Sequence, residues 1–309
     1  MEFGAHLPLM DFGGNPYTVA FLRDYARTAV ACGFSTLSAN DHMVFASPWL
    51  DGPTALAAVV GDSGEATLAT TVALPVIRGP VQLAKALGAI DVLSGGRVLV
   101  AVGPGSSQRD YETVGIDFDE RWLRLDESVQ ALRALWRDGP PFEGRFYSTV
   151  DVDLRPRPAR PGGPPIWMGS WGSPAGMRRT ARLADGWLAS AYNTTPEAFA
   201  QSLETLRHEL QAVGRDAASF PNALATMWCY ITEDPGGTSR ILRERLVPVV
   251  NRPEEMLRER LAVGPPEDVA AKLRALGDAG VQQVLIWPVD DELRQLELFA
   301  DRVRPLVVR

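Results

Sequence analysis

Short apolar runs alternate along the chain with longer segments in which apolar residues recur at helical spacing. The apolar runs predict strands over residues 3–7, 34–39, 66–74, 98–102, 166–169, 187–190, 224–231 and 283–287. The longer segments predict helices over residues 17–31, 53–60, 80–93, 121–136, 174–183, 197–213, 266–279 and 292–303. Alternation of this kind indicates βα units and a parallel sheet. Eight such strands favour a closed (β/α)8 TIM barrel over an open, doubly wound sheet.

Two stretches interrupt this alternation, at about residues 138–165 and 236–263. The first contains FEGRFY at residues 142–147, which predicts a small hairpin, and the second is expected to be partly helical. Because βα units resume after the first stretch, we interpret both as insertions in a single barrel domain over residues 1–309. Long loops of this kind often cover an active site, and we expect them to influence specificity.

Composition and charge narrow the class of protein. The 309 residues carry a formal net charge of −7 without an obvious basic stripe, which argues against a nucleic-acid partner. Two distant cysteines and an amino terminus unlike a signal peptide predict a reduced, cytoplasmic protein. No run approaches the roughly 18 apolar residues of a membrane helix. Three histidines argue against a multi-histidine metal site, so we expect a small-molecule substrate and no metal.

In (β/α)8 barrels, functional residues lie at the carboxyl ends of the strands and in the loops that follow them. This rule converts the strand pattern into candidate site residues. They are His6 after the first strand, Asn40-Asp41-His42 after the second, Thr70-Thr71-Val72 in the third, Gly103-Pro104-Gly105-Ser106-Ser107 after the fourth, Gly169-Ser170-Trp171-Gly172-Ser173-Pro174 after the fifth, and Ser190-Ala191-Tyr192-Asn193 after the sixth.

The segment from Gly169 to Pro174 has the features of a phosphate site. Ser173 followed by Pro174 is typical of a helix N-cap and first helical residue. A helix amino terminus presents unpaired N–H groups and the positive end of the helix dipole, both of which favour a phosphate. The same pattern also describes an ordinary capped βα turn, so the local sequence leaves both interpretations open.

Asp41 and His42 are the candidates for proton chemistry. A histidine at a strand end can donate a hydrogen bond or a proton, and a neighbouring aspartate can orient the loop or polar atoms of a bound ring. His6 is either a second rim residue or a polar side chain packed under the loop. Asp11, Asp51, Glu65, Arg78 and Arg109 are expected on solvated faces or as caps, and the tryptophans 49, 171, 228 and 287 either line an apolar pocket or fill the core.

The chain resembles the bacterial luciferase-like monooxygenase family, which includes oxidoreductases that depend on the deazaflavin coenzyme F420. The resemblance covers residues 33–43, 69–107, 120–136, 164–190 and 264–286, in family order. Its most specific parts are LAKALGAIDVLSGGR, which begins at Leu83, and ARLADGW, which begins at Ala181.

The resemblance implies a barrel that holds a flavin or deazaflavin ring over its carboxyl-terminal mouth. His42 would stand near the reactive centre of the ring, beside Asp41. The bond between Thr71 and Val72 would be a non-prolyl cis peptide that supports the ring. A homodimer is also implied. The cofactor-binding residues implied in this way are Asp41, Thr70, Thr71, Val72, Gly103, Pro104, Gly105 and Ser106 around the ring, and Gly169, Ser170, Trp171, Gly172 and Ser173 at the phosphate.

The chain departs from the family pattern at two places. Gly79-Pro80 stands where members often have His-Pro, and Pro104 stands where members that use FMN and oxygen often have arginine. The second departure favours F420 over FMN. The leading hypothesis is therefore F420-dependent hydride transfer to or from a small organic substrate, with His42 assisting proton transfer. The alternatives are a monooxygenase that uses reduced FMN and oxygen, with a separate flavin or F420 reductase as a possible partner, and a flavin-binding protein without turnover.

Overall fold

The computed structural model describes residues 1–12 and 17–308 of the chain. Eight parallel strands close into a barrel in the order β1-β2-β3-β4-β5-β6-β7-β9, with β9 returning to β1. The nine strands in the described residues are β1 (Glu2–His6), β2 (Thr36–Ala39), β3 (Thr67–Ala73), β4 (Val98–Val102), β5 (Ile166–Gly169), β6 (Gly186–Ser190), β7 (Asn222–Ile231), β8 (Ala262–Gly264) and β9 (Gln283–Pro288). The predicted TIM barrel is confirmed.

Helices surround the barrel. In the same part of the chain they are α1 (Val19–Ala31), α2 (Gly52–Val59), α3 (Pro75–Arg78), α4 (Pro80–Leu93), α5 (Gln108–Val114), α6 (Arg121–Trp136), α7 (Pro174–Leu183), α8 (Pro196–Ala212), α9 (Pro235–Arg240), α10 (Val247–Val250), α11 (Glu254–Arg260), α12 (Pro266–Asp278), α13 (Glu292–Leu298) and α14 (Arg304–Val307). Short π-helical segments, Ile241–Leu246 and Phe299–Val303, join α9 to α10 and α13 to α14. Short 3₁₀ turns are Val60–Asp62, Phe118–Glu120 and Ala191–Asn193. No helix of residues 1–12 and 17–308 is long and apolar enough to cross a membrane.

The structure contains three elements that the apolar pattern did not predict. The short helices α3 and α5 follow β3 and β4, and both lie near the barrel mouth. The strand β8 lies inside the stretch expected to be a partly helical insertion, and it pairs with residues 229–231 of β7. A register shift after Leu224, at Thr226 with a φ of 56°, separates this part of β7 from the part that pairs with β6. Three residues are too few to give a strand pattern, which explains the omission.

The Glu127 carboxylate holds the hairpin of the first interruption against α6. An antiparallel bridge joins Glu143 to Ser148, as the predicted hairpin requires. The carboxylate of Glu127 in α6 accepts the backbone N–H groups of residues 145, 146 and 147 at 2.9, 2.7 and 3.2 Å. The tip of the hairpin is therefore held against α6.

The apolar core lies between the strands and the helices. Large side chains that are fully buried there include Trp187, Tyr25 and Phe199. A smaller apolar cluster with members from β4 to β7 and β9 fills the barrel interior, and it contains Trp167 and Leu285. The strands end at the barrel mouth, which is where the candidate site residues were expected.

Candidate active site

A cavity of about 410 Å³ occupies the barrel mouth. Of the fourteen residues predicted to bind the cofactor or to transfer a proton, twelve line it: Asp41, His42, Thr71, Val72, Gly103, Pro104, Gly105, Ser106, Gly169, Ser170, Trp171 and Ser173. Thr70 and Gly172 are not in the lining. The Thr70 hydroxyl donates instead to the Ala101 carbonyl at 2.8 Å, because adjacent strand residues point to opposite faces and Thr71 takes the inward position. Gly172 lies against Ser202 of α8.

Val72 forms a wall of the cavity between two glycines. The Thr71–Val72 peptide bond is cis, as the family resemblance implied. A Cβ added at Gly103 would lie 2.9 Å from Val72 Cγ2, and one added at Gly169 would lie 2.7 Å from Val72 Cγ1. Only glycine therefore leaves room for Val72 in this place. Val72 also lines the cavity.

Two residues of the cavity lining have buried polar atoms that lack a hydrogen-bond partner among the residues described. Thr71 Oγ1 and Asn40 Oδ1 are buried without a hydrogen-bond partner in the described part of the protein, and both residues line the cavity. A buried polar group of this kind usually has a partner. A flavin or deazaflavin ring carries donors and acceptors on its polar edge, so these residues fit such a ring.

The turn after β5 has the geometry expected of a phosphate site. The Ser173 side chain caps α7 and accepts the Gly176 N–H at 3.1 Å, and Pro174 begins the helix. Gly172 has a φ of 91°, and the Gly172 N–H donates to Ser170 Oγ at 3.3 Å. The turn opens on the cavity through Ser170, Trp171 and Ser173. The ten-residue helix therefore directs its positive end towards the mouth.

Arg78 holds Asp41 in place. Its Nε and Nη2 donate to the two Asp41 carboxylate oxygens at 2.5 and 2.6 Å, and Nη2 also pairs with Asp51. Burial opposes the charge on Arg78, but the hydrogen bonds and charges of Asp41 and Asp51 outweigh it and raise the pKa of Arg78. Asp51 caps α2 as expected. Arg78, expected on a solvated face or as a cap, has a side chain that is only 18% exposed and pairs with Asp41.

His42 contacts a carboxylate that the sequence analysis did not identify. Its Nδ1 lies 3.3 Å from Oδ2 of the buried Asp110, and Phe45 and Trp49 contact the other sides of the ring. Asp110 lies in the first turn of α5 and is 68 residues away in sequence from His42. No local pattern marked it, because α5 itself was not predicted.

His6 is a structural residue. Its Nε2 accepts the Asn40 N–H at 3.1 Å and its Nδ1 lies 2.7 Å from the Leu7 carbonyl, so Nδ1 carries the hydrogen. Burial lowers the pKa of His6 to about 3, although both hydrogen bonds oppose this shift. The ring stacks on Trp287 at 3.6 Å, and Trp287 stacks on Trp228 at 3.8 Å. These contacts select the packed alternative for His6.

Sequence reasoning missed the part of the lining that comes from Phe118 and the amino terminus of α6. Phe118, Arg121 and Trp122 line the cavity there, whereas Tyr192, from the loop after β6, was among the candidate residues and also lines it. The Arg121 guanidinium lies 3.9 Å from the centroid of the Phe118 ring. Trp122 is 39% exposed. Burial raises the pKa of Tyr192.

The fold and this mouth define a TIM-barrel protein of the luciferase-like type. The model of the luciferase-like monooxygenase family matches residues 1–237, and the chain belongs to that family. An F420-dependent glucose-6-phosphate dehydrogenase of Segniliparus rotundus is 26% identical over 321 residues, which cover 92% of each chain. An uncharacterized protein of Mycobacterium tuberculosis is 32% identical over 185 residues, which cover 60% of this chain and 63% of its own.

Solved structures share the fold over almost the whole chain. A monooxygenase from Streptomyces bottropensis superposes with a TM-score of 0.83 at 24% identity and covers 99% of each chain. An F420-dependent secondary alcohol dehydrogenase superposes with a TM-score of 0.85 at 16% identity and covers 100% of this chain and 99% of its own. At these identities the likeness concerns the fold.

Proposed function

We propose that the protein is an F420-dependent oxidoreductase that acts on a small hydroxyl-bearing or carbonyl substrate. The observation that carries this proposal is the match to F420-dependent glucose-6-phosphate dehydrogenases over 92% of this chain. The geometry of the mouth supports it, since the wall at Val72 and the turn at Ser173 suit the ring and phosphate of one cofactor. When bound, F420 supplies hydride transfer.

Cofactor binding, proton exchange and positioning of the loop are assigned to different residues. Val72, Gly103 and Gly169 would support the ring of bound F420, and Gly105 and Ser106 would lie beside it. The segment from Gly169 to Ser173 would hold the phosphate through the turn and the α7 amino terminus. His42 exchanges a proton with the substrate oxygen. Asp41, because Arg78 engages both its oxygens, keeps the loop in place rather than moving a proton.

A binding titration tests the cofactor assignment. Purified protein is titrated with F420, with FMN, and with the deazaflavin nucleoside that lacks the phosphate, each oxidised and reduced. We expect F420 to bind at least tenfold more tightly than both others, about 1.4 kcal/mol. Preference for reduced FMN would replace the proposal by an oxygen-dependent monooxygenase. Equal affinity for F420 and the nucleoside would refute the phosphate site, and no binding at all would refute the proposal.

A turnover assay tests the role of His42. Oxidised F420 is mixed with a panel of secondary alcohols and sugar phosphates, and its loss of absorbance is followed. The His42→Ala variant is expected to bind F420 normally and to lose turnover, whereas His208→Ala, on the exposed face of α8, serves as the matched control. Full turnover by His42→Ala would remove His42 from the mechanism. Binding without turnover on any substrate would favour a flavin-binding protein.

Further predictions from the sequence accompany this proposal. A homodimer, a cytoplasmic location, a separate reductase and a single domain with lid-like insertions at 138–165 and 236–263 remain expectations of the sequence. Sedimentation of the purified protein tests the first, since a monomer at micromolar concentration would contradict it.

A further inference from the structure

Asp110 connects the helix after β4 to the loop after β2. Its backbone N–H donates to the Ser107 side chain at 3.2 Å in the first turn of α5. The residue is 1% exposed. Its Oδ1 accepts the Val44 N–H at 2.8 Å, and its Oδ2 lies 3.3 Å from His42 Nδ1. Both oxygens of this buried carboxylate therefore face the loop that carries His42.

This contact determines which nitrogen of His42 holds the hydrogen. An ionised carboxylate accepts hydrogen bonds and has no hydrogen to donate. The hydrogen between the two groups must then lie on Nδ1, so the Nε2 of the neutral ring has none. His42 lines the cavity and Asp110 does not. Nε2 is therefore the nitrogen left to exchange a proton with a bound molecule.

We propose that Asp110 is a positioning residue that fixes His42 in the Nδ1–H tautomer and leaves Nε2 as the proton acceptor for a substrate hydroxyl. This inference rests on the proposed function. As the substrate hydroxyl is deprotonated, its O–H bond breaks and an Nε2–H bond forms, and the reverse reaction returns the same proton. Phe45 and Trp49, with ring centroids 4.8 and 4.7 Å from that of His42, restrict rotation of the imidazole.

The Asp110→Asn variant separates this role from a merely structural one. The carboxamide keeps the shape of the side chain but replaces one oxygen by an NH2 donor. Its oxygen is expected to keep the Val44 N–H, because the opposite orientation would place two donors against each other. The NH2 group then donates to His42 Nδ1 and moves the ring hydrogen to Nε2. Ser107→Ala is the matched control, since it weakens the α5 cap and keeps the carboxylate.

Nitrogen-15 NMR of the ligand-free protein reads the tautomer directly. The chain has three histidines. His6, with its hydrogen on Nδ1, and the exposed His208 serve as internal references, and single His→Gln variants assign the signals. The spectra are recorded at pH 8. We expect His42 to carry its hydrogen on Nδ1 in the wild type and in Ser107→Ala, and on Nε2 in Asp110→Asn.

A wild-type His42 with its hydrogen on Nε2, or an Asp110→Asn variant with an unchanged tautomer, would overturn the proposal. Because the spectra need neither cofactor nor substrate, this result is independent of the F420 titration. In the turnover assay Asp110→Asn is expected to lower kcat at least tenfold, with KM and F420 affinity within twofold of wild type. Unchanged kcat together with an altered tautomer would also overturn the assignment.

Discussion

Replacing Arg78 by methionine tests whether its ion pair holds the mouth together. The Arg78 guanidinium makes two hydrogen bonds to Asp41, whose side chain is 1% exposed. Methionine keeps much of the apolar stem and removes the charge. Asp41 would then remain as a buried carboxylate without its cation, which is far less favourable than either the pair or two neutral groups.

The structure sets the size of the effect. Removing one partner of a buried ion pair costs about 3–5 kcal/mol. Arg78 is 18% exposed and its second partner, Asp51, is 40% exposed, so we expect the lower end, about 3 kcal/mol. The entropy of unfolding is about 2 cal/mol/K per residue, so for 309 residues the Tm falls by about 5 °C.

Thermal unfolding of the ligand-free protein, followed by circular dichroism at pH 7, measures this change. Arg294→Met is the matched control, because its pair with Glu297 is about half exposed on both sides and little change is expected. Combining Arg78→Met with Asp41→Asn removes the unpaired charge and is expected to recover most of the lost Tm. If Arg78→Met lowers Tm by no more than Arg294→Met does, or if Asp41→Asn recovers nothing, the reasoning fails.

Three further predictions concern other parts of the barrel. His6, whose folded pKa of about 3 lies below its unfolded value of 6.5, stabilises the fold fully above pH 6.5 and progressively less as pH falls towards 3. Between pH 6.5 and 5, the free energy of unfolding of the wild type, measured with urea, should therefore fall by about 2 kcal/mol more than that of His6→Gln. If the free energies of the two proteins changed in parallel with pH, this prediction would be contradicted. Gly169→Ala should lower the free energy of unfolding by about 1–3 kcal/mol and weaken F420 binding, because its Cβ would lie 2.7 Å from Val72 Cγ1. The control Gly61→Ala, which has open space at its Cβ, should change neither stability nor F420 binding. Glu127→Ala should speed amide hydrogen exchange at residues 145–147 at least tenfold, and unchanged exchange there would show that the carboxylate does not hold the hairpin.

Local signals were sufficient for the parts of the site that depend on neighbours in sequence. Ser173 followed by Pro174 predicted the start of α7, and the structure begins that helix at Pro174. The strand pattern placed Thr71 and Gly169 at the mouth, where they line the cavity. Alternation along β3 should also have excluded Thr70, which cannot share a face with Thr71. Val72 reaches the same cavity as Thr71 because the pairing of β3 with β4 shifts register between Thr71 and Ala73.

The partners of Arg78 and Asp110 are set by tertiary contacts, which the sequence pattern could not predict. Arg78 and Asp41 are 37 residues apart, and Asp110 and His42 are 68 apart. An arginine or aspartate in a short, unpredicted helix has the same local pattern whether it faces solvent or a partner across the mouth. Burial distinguishes the two cases, and burial depends on the closed barrel.

The two missed residues, Arg78 and Asp110, bind the same loop. The loop after β2 carries both Asp41 and His42, and it contributes the capping residue of α2, Asp51. Arg78 from α3 binds this loop at Asp41 and Asp51, while Asp110 from α5 binds it at His42 and Val44. Neither Arg78 nor Asp110 lines the cavity. Arg78 and Asp110 therefore hold this loop from outside the cavity lining, and under the proposed mechanism substitutions at either residue are expected to alter turnover more than affinity.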